Sequence, residues 1–117
     1  MDWYIAKIVF RIEHEQEQKA QFDEQLRLIQ AENEPEALEK AQELGAKGSE
    51  TFLNEKQESV KWVFVNVAEL QKLNNITDGM ELDSRTEEQE DAERYTNMIH
   101  KKARNIQMRT FLQVLSI

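Results

Sequence analysis

Eight residues near the middle of the chain, 78–85 (DGMELDSR), combine three carboxylates with an arginine. Two neighbouring carboxylates perform acid–base chemistry when burial or a like charge raises the pKa of one of them. Glu81 and Asp83 would lie about 7 Å apart, Cα to Cα, on an extended strand. The guanidinium of Arg85 beside them stabilises the ionised carboxylates, which argues against a catalytic acid here.

The same segment has the alternation of a half-buried outer strand. We predict a strand that begins at Gly79 after an Asp-Gly turn, with Met80 and Leu82 directed to the core and the charged side chains directed to water. The pattern of ligands in a calcium-binding loop is missing, so the sequence predicts no metal at this position.

Other catalytic signatures are missing from the sequence as well. The chain has no cysteine and three glycines, which excludes thiolate metal sites, phosphate-binding glycine loops and dinucleotide fingerprints. Its two histidines, His14 and His100, are far apart in sequence and belong to no metal motif. We therefore predict no catalytic residue, no cofactor and no metal, and the sequence favours a protein that is not an enzyme.

Length and charge limit the class of protein. A chain of 117 residues is one domain by length, and no run of apolar residues is long enough to cross a membrane. No secretory signal opens the chain, so we expect a cytoplasmic protein. Residues 1–93 hold 23 acidic and 10 basic side chains, a formal charge of −13, whereas residues 94–117 carry +5. An acidic body of this kind repels nucleic acid.

Three segments have the period of two that is typical of strands: residues 3–13, 22–31 and 59–67. The first has apolar residues at every even position from Tyr4 to Ile12, and its odd positions are mixed. In the third, Val60, Trp62 and Phe64 alternate with Val63, Val65 and Val67. Apolar residues on both faces place these two strands in the middle of a sheet.

Two segments have the period of helices. Asn33 is predicted to cap a helix whose alanines allow a close approach to a sheet. Thr86 is predicted to cap a second helix that is acidic at its start and basic at its end, with an apolar stripe formed by Ala92, Tyr95, Ile99, Ala103 and Ile106. The last ten residues, 108–117, fit either a continuing helix or a strand.

The order β-β-α-β-β-α predicts an α+β domain, a four-stranded antiparallel sheet with a helix packed on one face and a long C-terminal helix. Residues 1–85 would form the sheet and its helix, and residues 86–117 the C-terminal helix and apolar tail of the same domain. Two inner strands that are apolar on both sides leave the second face of the sheet in need of cover. We expect the C-terminal helix or a second subunit to supply it.

A homodimer follows from this expectation. If the C-terminal helix meets its symmetry mate antiparallel, the acidic half of each lies against the basic half of the other, as a two-fold interface requires. A tryptophan on a strand is most often a core residue, but on an uncovered face it marks a binding surface. The candidate interaction surface consists of Trp3, Trp62, Glu81, Asp83, Arg85, Tyr95, Ile99 and Phe111.

Several motifs, taken in order, resemble a known family. They are the Trp-Tyr opening of WYIAKIVFRIE, the Glu-Ala-x-x-x-Ala helix at Glu36, the Val-x-Trp-x-Phe strand at Val60, and the Gly-x-Glu-x-x-Ser-Arg segment that ends at Arg85. This chain resembles the bacterial domain-of-unknown-function family numbered 4288 from about Trp3 to Arg85. The resemblance implies a small bacterial α+β protein without an assigned activity.

The sequence therefore favours a small cytoplasmic, non-enzymatic binding or assembly protein that forms a homodimer and contacts neither nucleic acid nor membrane. Two alternatives stay open. The first is an acidic inhibitor or immunity-type protein that covers a basic partner, which its charge would attract. The second is a small-ligand site near Trp62, Glu81 and Arg85.

Overall fold

The structure is a computed structural model that describes residues 1–16 and 19–116. Its elements, in chain order, are β1 (Asp2–His14), β2 (Gln21–Ala31), α1 (Glu34–Lys47), β3 (Glu50–Leu53), β4 (Ser59–Leu73) and α2 (Ala92–Leu115). The α+β class and the predicted element order are confirmed. The chain forms two compact units, Met1–Leu82 and Asp83–Ile117, called unit 1 and unit 2 below.

Unit 1 is a four-stranded sheet in the order β2-β1-β4-β3, and every neighbouring pair is antiparallel. The predicted strands at residues 3–13 and 59–67 correspond to β1 and β4, and both are inner strands as expected. β4 is longer than predicted, because the segment after Val67 continues as a strand to Leu73.

α1 begins where the sequence predicted it. The side chain of Asn33 accepts a hydrogen bond from the backbone N–H of Glu36 at 2.9 Å, and the carboxylate of Glu36 accepts one from the N–H of Glu32 at 2.9 Å. These bonds satisfy two donors near the start of the helix. The helix ends at Lys47, and the N–H of Gly48 is bonded to carbonyls of the last turn.

α1 packs on one face of the sheet, which we call the helix-bearing face. Four β1 residues on this face are buried, Tyr4, Ala6, Ile8 and Phe10. The core cluster joins two of them to small residues of α1 and to the end of β2, through Ala37, Ala41, Ile29 and Ala31. Alanine side chains are short, so the helix axis can lie close to the strands, as the sequence predicted.

Two register shifts in β4 decide which of its side chains reach this core. Along β1 the partner changes from Glu69 to Val67 between Lys7 and Ile8, and a second shift lies between Val9 and Phe10. Each shift inserts one extra residue into β4, which is a β-bulge. The expectation that Val67 points away from Phe64 is therefore wrong, because Val67 packs against the core cluster.

The predicted strand from Gly79 to Arg85 does not form. The Asp-Gly turn is present, with a positive φ of 81° at Gly79, but the residues that follow are neither helix nor strand and Leu82 is 50% exposed. The fourth place in the sheet is filled by β3, which pairs with the first residues of β4. Asp and Glu are poor strand formers, whereas Thr51 and Phe52 are good ones.

α2 also differs from its predicted limits. It begins at Ala92, and the carboxylate of Asp91, not the hydroxyl of Thr86, caps it by accepting from the N–H of Arg94 at 2.9 Å. A start at Thr86 would have stacked four acidic residues in adjacent turns, and like charges at such spacing are destabilising. The helix continues to Leu115, so the helical alternative for the tail is correct up to that residue; Ile117 lies outside the described residues.

The contact between α1 and β4 yields a stability prediction. A Cβ atom at Gly45 would overlap the ring of Phe64, so Gly45→Val should lower the free energy of unfolding by about 1–3 kcal/mol through overpacking. Ala46→Val, one residue further on the exposed side of α1, should cost well under about 1 kcal/mol. Urea unfolding of both variants measures the difference, and equal costs would contradict this position of α1.

Candidate interaction surface

The second face of the sheet in unit 1, which we call the open face, carries apolar side chains from β1, β2 and β4. In an antiparallel pair, residues opposite each other point to the same face. The register pairs Ile5 with Leu28 and Lys7 with Leu26. The apolar side chains on this face are Trp3, Ile5 and Val9 of β1, Phe22, Leu26 and Leu28 of β2, and Val63 and Leu73 of β4, of which Leu73 is buried.

The β2 side chains on the open face are much more exposed to solvent than the side chains of the core. Phe22, Leu26 and Leu28 are 61%, 49% and 57% exposed, whereas Ile29, which points to the helix-bearing face, is 6% exposed. Adjacent residues of one strand thus differ about tenfold, because β2 is covered on one side only. Leu26 and Leu28 are neighbours on this face, with Glu24 between Leu26 and Phe22. Exposed apolar side chains that lie together are typical of an interaction site.

The charge in the middle of the open face, on Lys7, is paired within that face. Lys7 lies between Leu26 and Glu69 in the register, and its Nζ is 3.4 Å from the carboxylate of Glu69. The Lys7 side chain is 17% exposed, so most of its length is covered by its neighbours. A neutral pair in the middle of the face adds no net charge that would oppose an apolar contact.

The two tryptophans lie on opposite faces of the sheet. Trp3 is on the open face and is 37% exposed, beside Ile5, as the sequence expectation required for a surface role. Trp62 is on the helix-bearing face, with its ring centroid 5.8 Å from that of Phe10. One surface therefore cannot include both residues.

Trp62 lines a cleft of about 260 Å³ on the helix-bearing face, next to the end of α1. Its floor contains Phe10, and Arg27 and Glu50 are the charged residues among those that line it. The sequence had placed Arg85 in such a site. Arg85 belongs to unit 2, whereas this cleft is built from residues of unit 1.

The acidic segment that first suggested chemistry is solvated. Glu81, Asp83 and Arg85 are exposed, and the guanidinium Nε of Arg85 lies 2.8 Å from the carboxylate of Glu87. Within residues 1–16 and 19–116, no group of three or more side chains is arranged to hold a metal ion. The expectation that these charges face water is confirmed, although the strand proposed to carry them is missing.

In unit 2, α2 has two apolar patches. At about 100° per residue, Tyr95, Ile99 and Ile106 fall on one side of the helix, while Phe111 and Leu115 fall on nearly the opposite side. No α2 residue among those described is buried, and Tyr95 and Ile99 are each 42% exposed. Three residues predicted for one surface, Tyr95, Ile99 and Phe111, thus cannot meet a single flat partner.

The basic residues of α2 lie in its middle, not at its end. The helix continues for eleven residues beyond Arg104, and its last turn contains no basic residue. The helix dipole acts on charges within the last turn only. It therefore does not explain why Lys101 and Lys102 are basic. Across the described parts of the chain, none of the helices is both long and apolar enough to cross a bilayer.

Sequence reasoning missed three residues of the open face, Phe22, Leu26 and Leu28. Their alternation was recognised as a strand signal, but alternation alone does not tell which face a strand buries. The intervening positions held a signal. Ile29 and Ala31 are apolar as well, and they lie directly before the helix that carries the small residues Ala37 and Ala41.

Residues 3–84 match the model of the family described as Domain of unknown function (DUF4288). The match covers most of the chain and includes both inner strands, so this protein belongs to that family. No curated protein and no solved structure matches the chain.

The two faces of β2 can be compared through neighbouring residues. Ile29→Ala should lower the free energy of unfolding by about 2–5 kcal/mol, because it opens a cavity in the core. Leu28→Ala should cost less than about 1 kcal/mol in dilute protein, because its side chain is already largely in water. Urea denaturation at the lowest practical concentration tests this; a Leu28→Ala cost as large as that of Ile29→Ala would show that the open face is covered.

Proposed function

We propose that this protein is a small, non-enzymatic assembly protein of the bacterial cytoplasm, and that two copies associate through the open face. The observation that supports the proposal is the exposed apolar row of Phe22, Leu26 and Leu28, which continues onto β1 at Ile5. A regular sheet with one face buried by a helix and one face apolar and open is half of a sandwich.

The energetic scale is consistent with a reversible contact. Fully burying a large apolar side chain contributes about 1.5–3 kcal/mol, and these three are already about half covered, so each contributes roughly 1 kcal/mol more. In a two-fold interface every residue counts twice. The gain has to exceed about 4–15 kcal/mol of lost rigid-body freedom, so Trp3, Ile5 and Val9 are needed as well.

α2 contributes a second contact to the proposal. Its first apolar stripe, centred on Ile99, would meet the same stripe of a second copy in the antiparallel direction. In that arrangement Tyr95 lies near Ala103 of the other helix, and Arg109 lies near the acidic residues that precede Ala92. In this register the charge pairing across the two chains therefore rests on Arg109, because Lys101 and Lys102 lie opposite the uncharged residues Asn97 and Thr96.

Native mass spectrometry of the purified chain tests the proposal. We expect species of two chains or a multiple of two, each chain contributing 13.8 kDa. Ile5→Glu, which places a charge in the middle of the open face, should weaken association at least tenfold. Ala46→Glu is the control, because it adds the same charge on the exposed side of α1, which packs on the other face of the sheet. A wild-type protein that stays a single chain at high protein concentration, in low and high salt, would refute the proposal.

The contribution of α2 is tested separately. Ile99→Glu introduces a charge into the first apolar stripe and should weaken association severalfold, whereas Asn97→Glu places the same charge on the other side of the helix and should have little effect. Circular dichroism of both variants shows whether α2 stays helical. Equal dissociation constants for the two variants would mean that the stripe makes no contact between copies.

A basic protein partner is the second candidate. It is favoured by the exposed acidic residues that precede α2, which would steer a positively charged surface toward the chain. A small ligand at the cleft that Trp62 lines is the third candidate, since the cleft combines aromatic rings with Arg27 and Glu50. The same native mass spectra separate them: a heteromeric complex supports the basic partner, and a small added mass supports the ligand.

A further inference from the structure

β2 is an edge strand, and among the described residues no strand lies on its outer side. Its eleven residues pair with β1 in one unbroken register, from Asp2 opposite Ala31 to Ile12 opposite Gln21. The other edge of the sheet is protected, because β3 has four residues and β4 behind it carries two bulges. Proteins protect long edges with charged side chains, especially lysine, with proline or with a bulge; β2 has no lysine, proline or bulge, and its charged side chains are Asp23, Glu24 and Arg27.

The structure shows which backbone groups of β2 point outward. The Nζ of Lys40 donates to the carbonyl of Gln30 at 2.6 Å, so the backbone of Gln30 faces away from β1. Just beyond β1, the N–H of Glu15 bonds to the carbonyl of Ser59, so the odd-numbered residues of β1 direct their backbone groups to β4 and the even-numbered ones to β2. Since even-numbered β1 residues lie opposite odd-numbered β2 residues, this agrees with an outward-facing Gln30. The N–H and C=O of one residue point to the same side in an antiparallel strand, so the unpaired groups belong to the even-numbered residues. They are those of Phe22, Glu24, Leu26 and Leu28.

We propose that this edge pairs with the same edge of a second copy, antiparallel, about a two-fold axis through Gln25. Residues of the same face must pair, so an axis through Leu26 or Glu24 is the nearest alternative. The axis through Leu26 would need the carbonyl of Gln30, which Lys40 already occupies. The axis through Glu24 would place two carboxylates opposite each other, which is destabilising.

The register about Gln25 pairs opposite charges on the helix-bearing face, and on the open face it places Glu24 opposite Leu26 besides one apolar pair. On the open face, Phe22 lies opposite Leu28 of the second copy, and by symmetry this apolar pair occurs twice. On the helix-bearing face, Asp23 lies opposite Arg27 of the second copy, also twice. Asp23 and Arg27 belong to non-hydrogen-bonded pairs, in which the side chains approach more closely, so the opposite charges can form ion pairs.

The side chains of one copy are already arranged for this contact. The amide of Gln25 donates to the carboxylate of Asp23 at 2.8 Å and accepts from the guanidinium of Arg27 at 2.9 and 3.1 Å. Gln25 thus holds the acid and the base extended along the strand. Neither Asp23 nor Arg27 forms an ion pair among the described residues of its own chain within 4.0 Å.

Pairing of two edges gives a continuous eight-stranded sheet, with both copies of α1 on the same side. This contact is separate from the open-face contact, and its axis runs perpendicular to the sheet. Two such sheets packed through their open faces form a tetramer with mutually perpendicular two-fold axes, the commonest way to combine two isologous interfaces. The edge contact by itself stands without the open-face contact.

A charge-exchange experiment tests the edge contact. Asp23→Arg places two arginines opposite each other, and Arg27→Asp places two aspartates opposite each other, so each variant should lose the edge contact and show half the wild-type mass by native mass spectrometry. An equimolar mixture of the two variants should restore the wild-type mass, because both ion pairs re-form between unlike chains. The doubly exchanged chain should restore it as well.

The controls are Glu39→Arg and Lys47→Asp, the same charge reversals on the exposed side of α1, which should leave the mass unchanged. If both β2 variants keep the wild-type mass, or if mixing them fails to restore it, the edge contact is wrong. Ile5→Glu separates this result from the open-face proposal, because it should remove the open-face contact and leave the edge pair intact. Leu26→Pro is a third variant. It removes a backbone N–H that points outward and is not bonded to β1, so the edge contact should be lost while the circular dichroism spectrum stays the same.

Discussion

The close approach of α1 to the sheet governs the rest of unit 1. Ala37, Ala41 and Gly45 let the helix lie directly on β1, β2 and β4, and a side chain at Gly45 would overlap the ring of Phe64. Small residues give little apolar area individually, so the contact depends on close packing and not on large side chains. This commits α1 to one face and leaves unit 1 without a second helix for the other.

Both inner strands carry apolar residues on the open side as well, and β2 adds three more. The helix-bearing face supplies the core of unit 1, with Ile8 and Phe10 buried there. The row on the other side, Phe22, Leu26 and Leu28, adds exposed apolar surface outside that core. The physical argument for self-association follows from this imbalance, and the regular edge of β2 extends it to a second proposed contact.

The bulges of β4 make the two edges of the sheet unequal. Each bulge adds one residue and increases the local twist, so the part of β4 beyond β3 is a poor template for another strand. β2 has a regular register and no such irregularity. The two edges therefore differ in how well they can pair with another strand, and in the edge contact proposed above only the β2 edge takes part.

Much of the fold could be predicted from the sequence because its signals are local. Alternation identified β1, β2 and the first part of β4, and the Asn33 cap with its alanine stripe identified α1, since side-chain period and capping depend on neighbouring residues alone. The inner position of β1 and β4 followed from apolar residues on both sides. The family, too, could be recognised from short motifs in order.

The sequence could not decide the features that depend on distant parts of the chain. β3 took the place predicted for residues 79–85, because strand pairing is a competition between segments, and the segment that follows α1 reaches β4 through a short hairpin. Val67 reached the core because bulges shifted its phase, and Phe22, Leu26 and Leu28 turned away from it because α1 chose the other face. Periodicity shows that a strand has two sides. The packing of α1 determines which of them stays exposed.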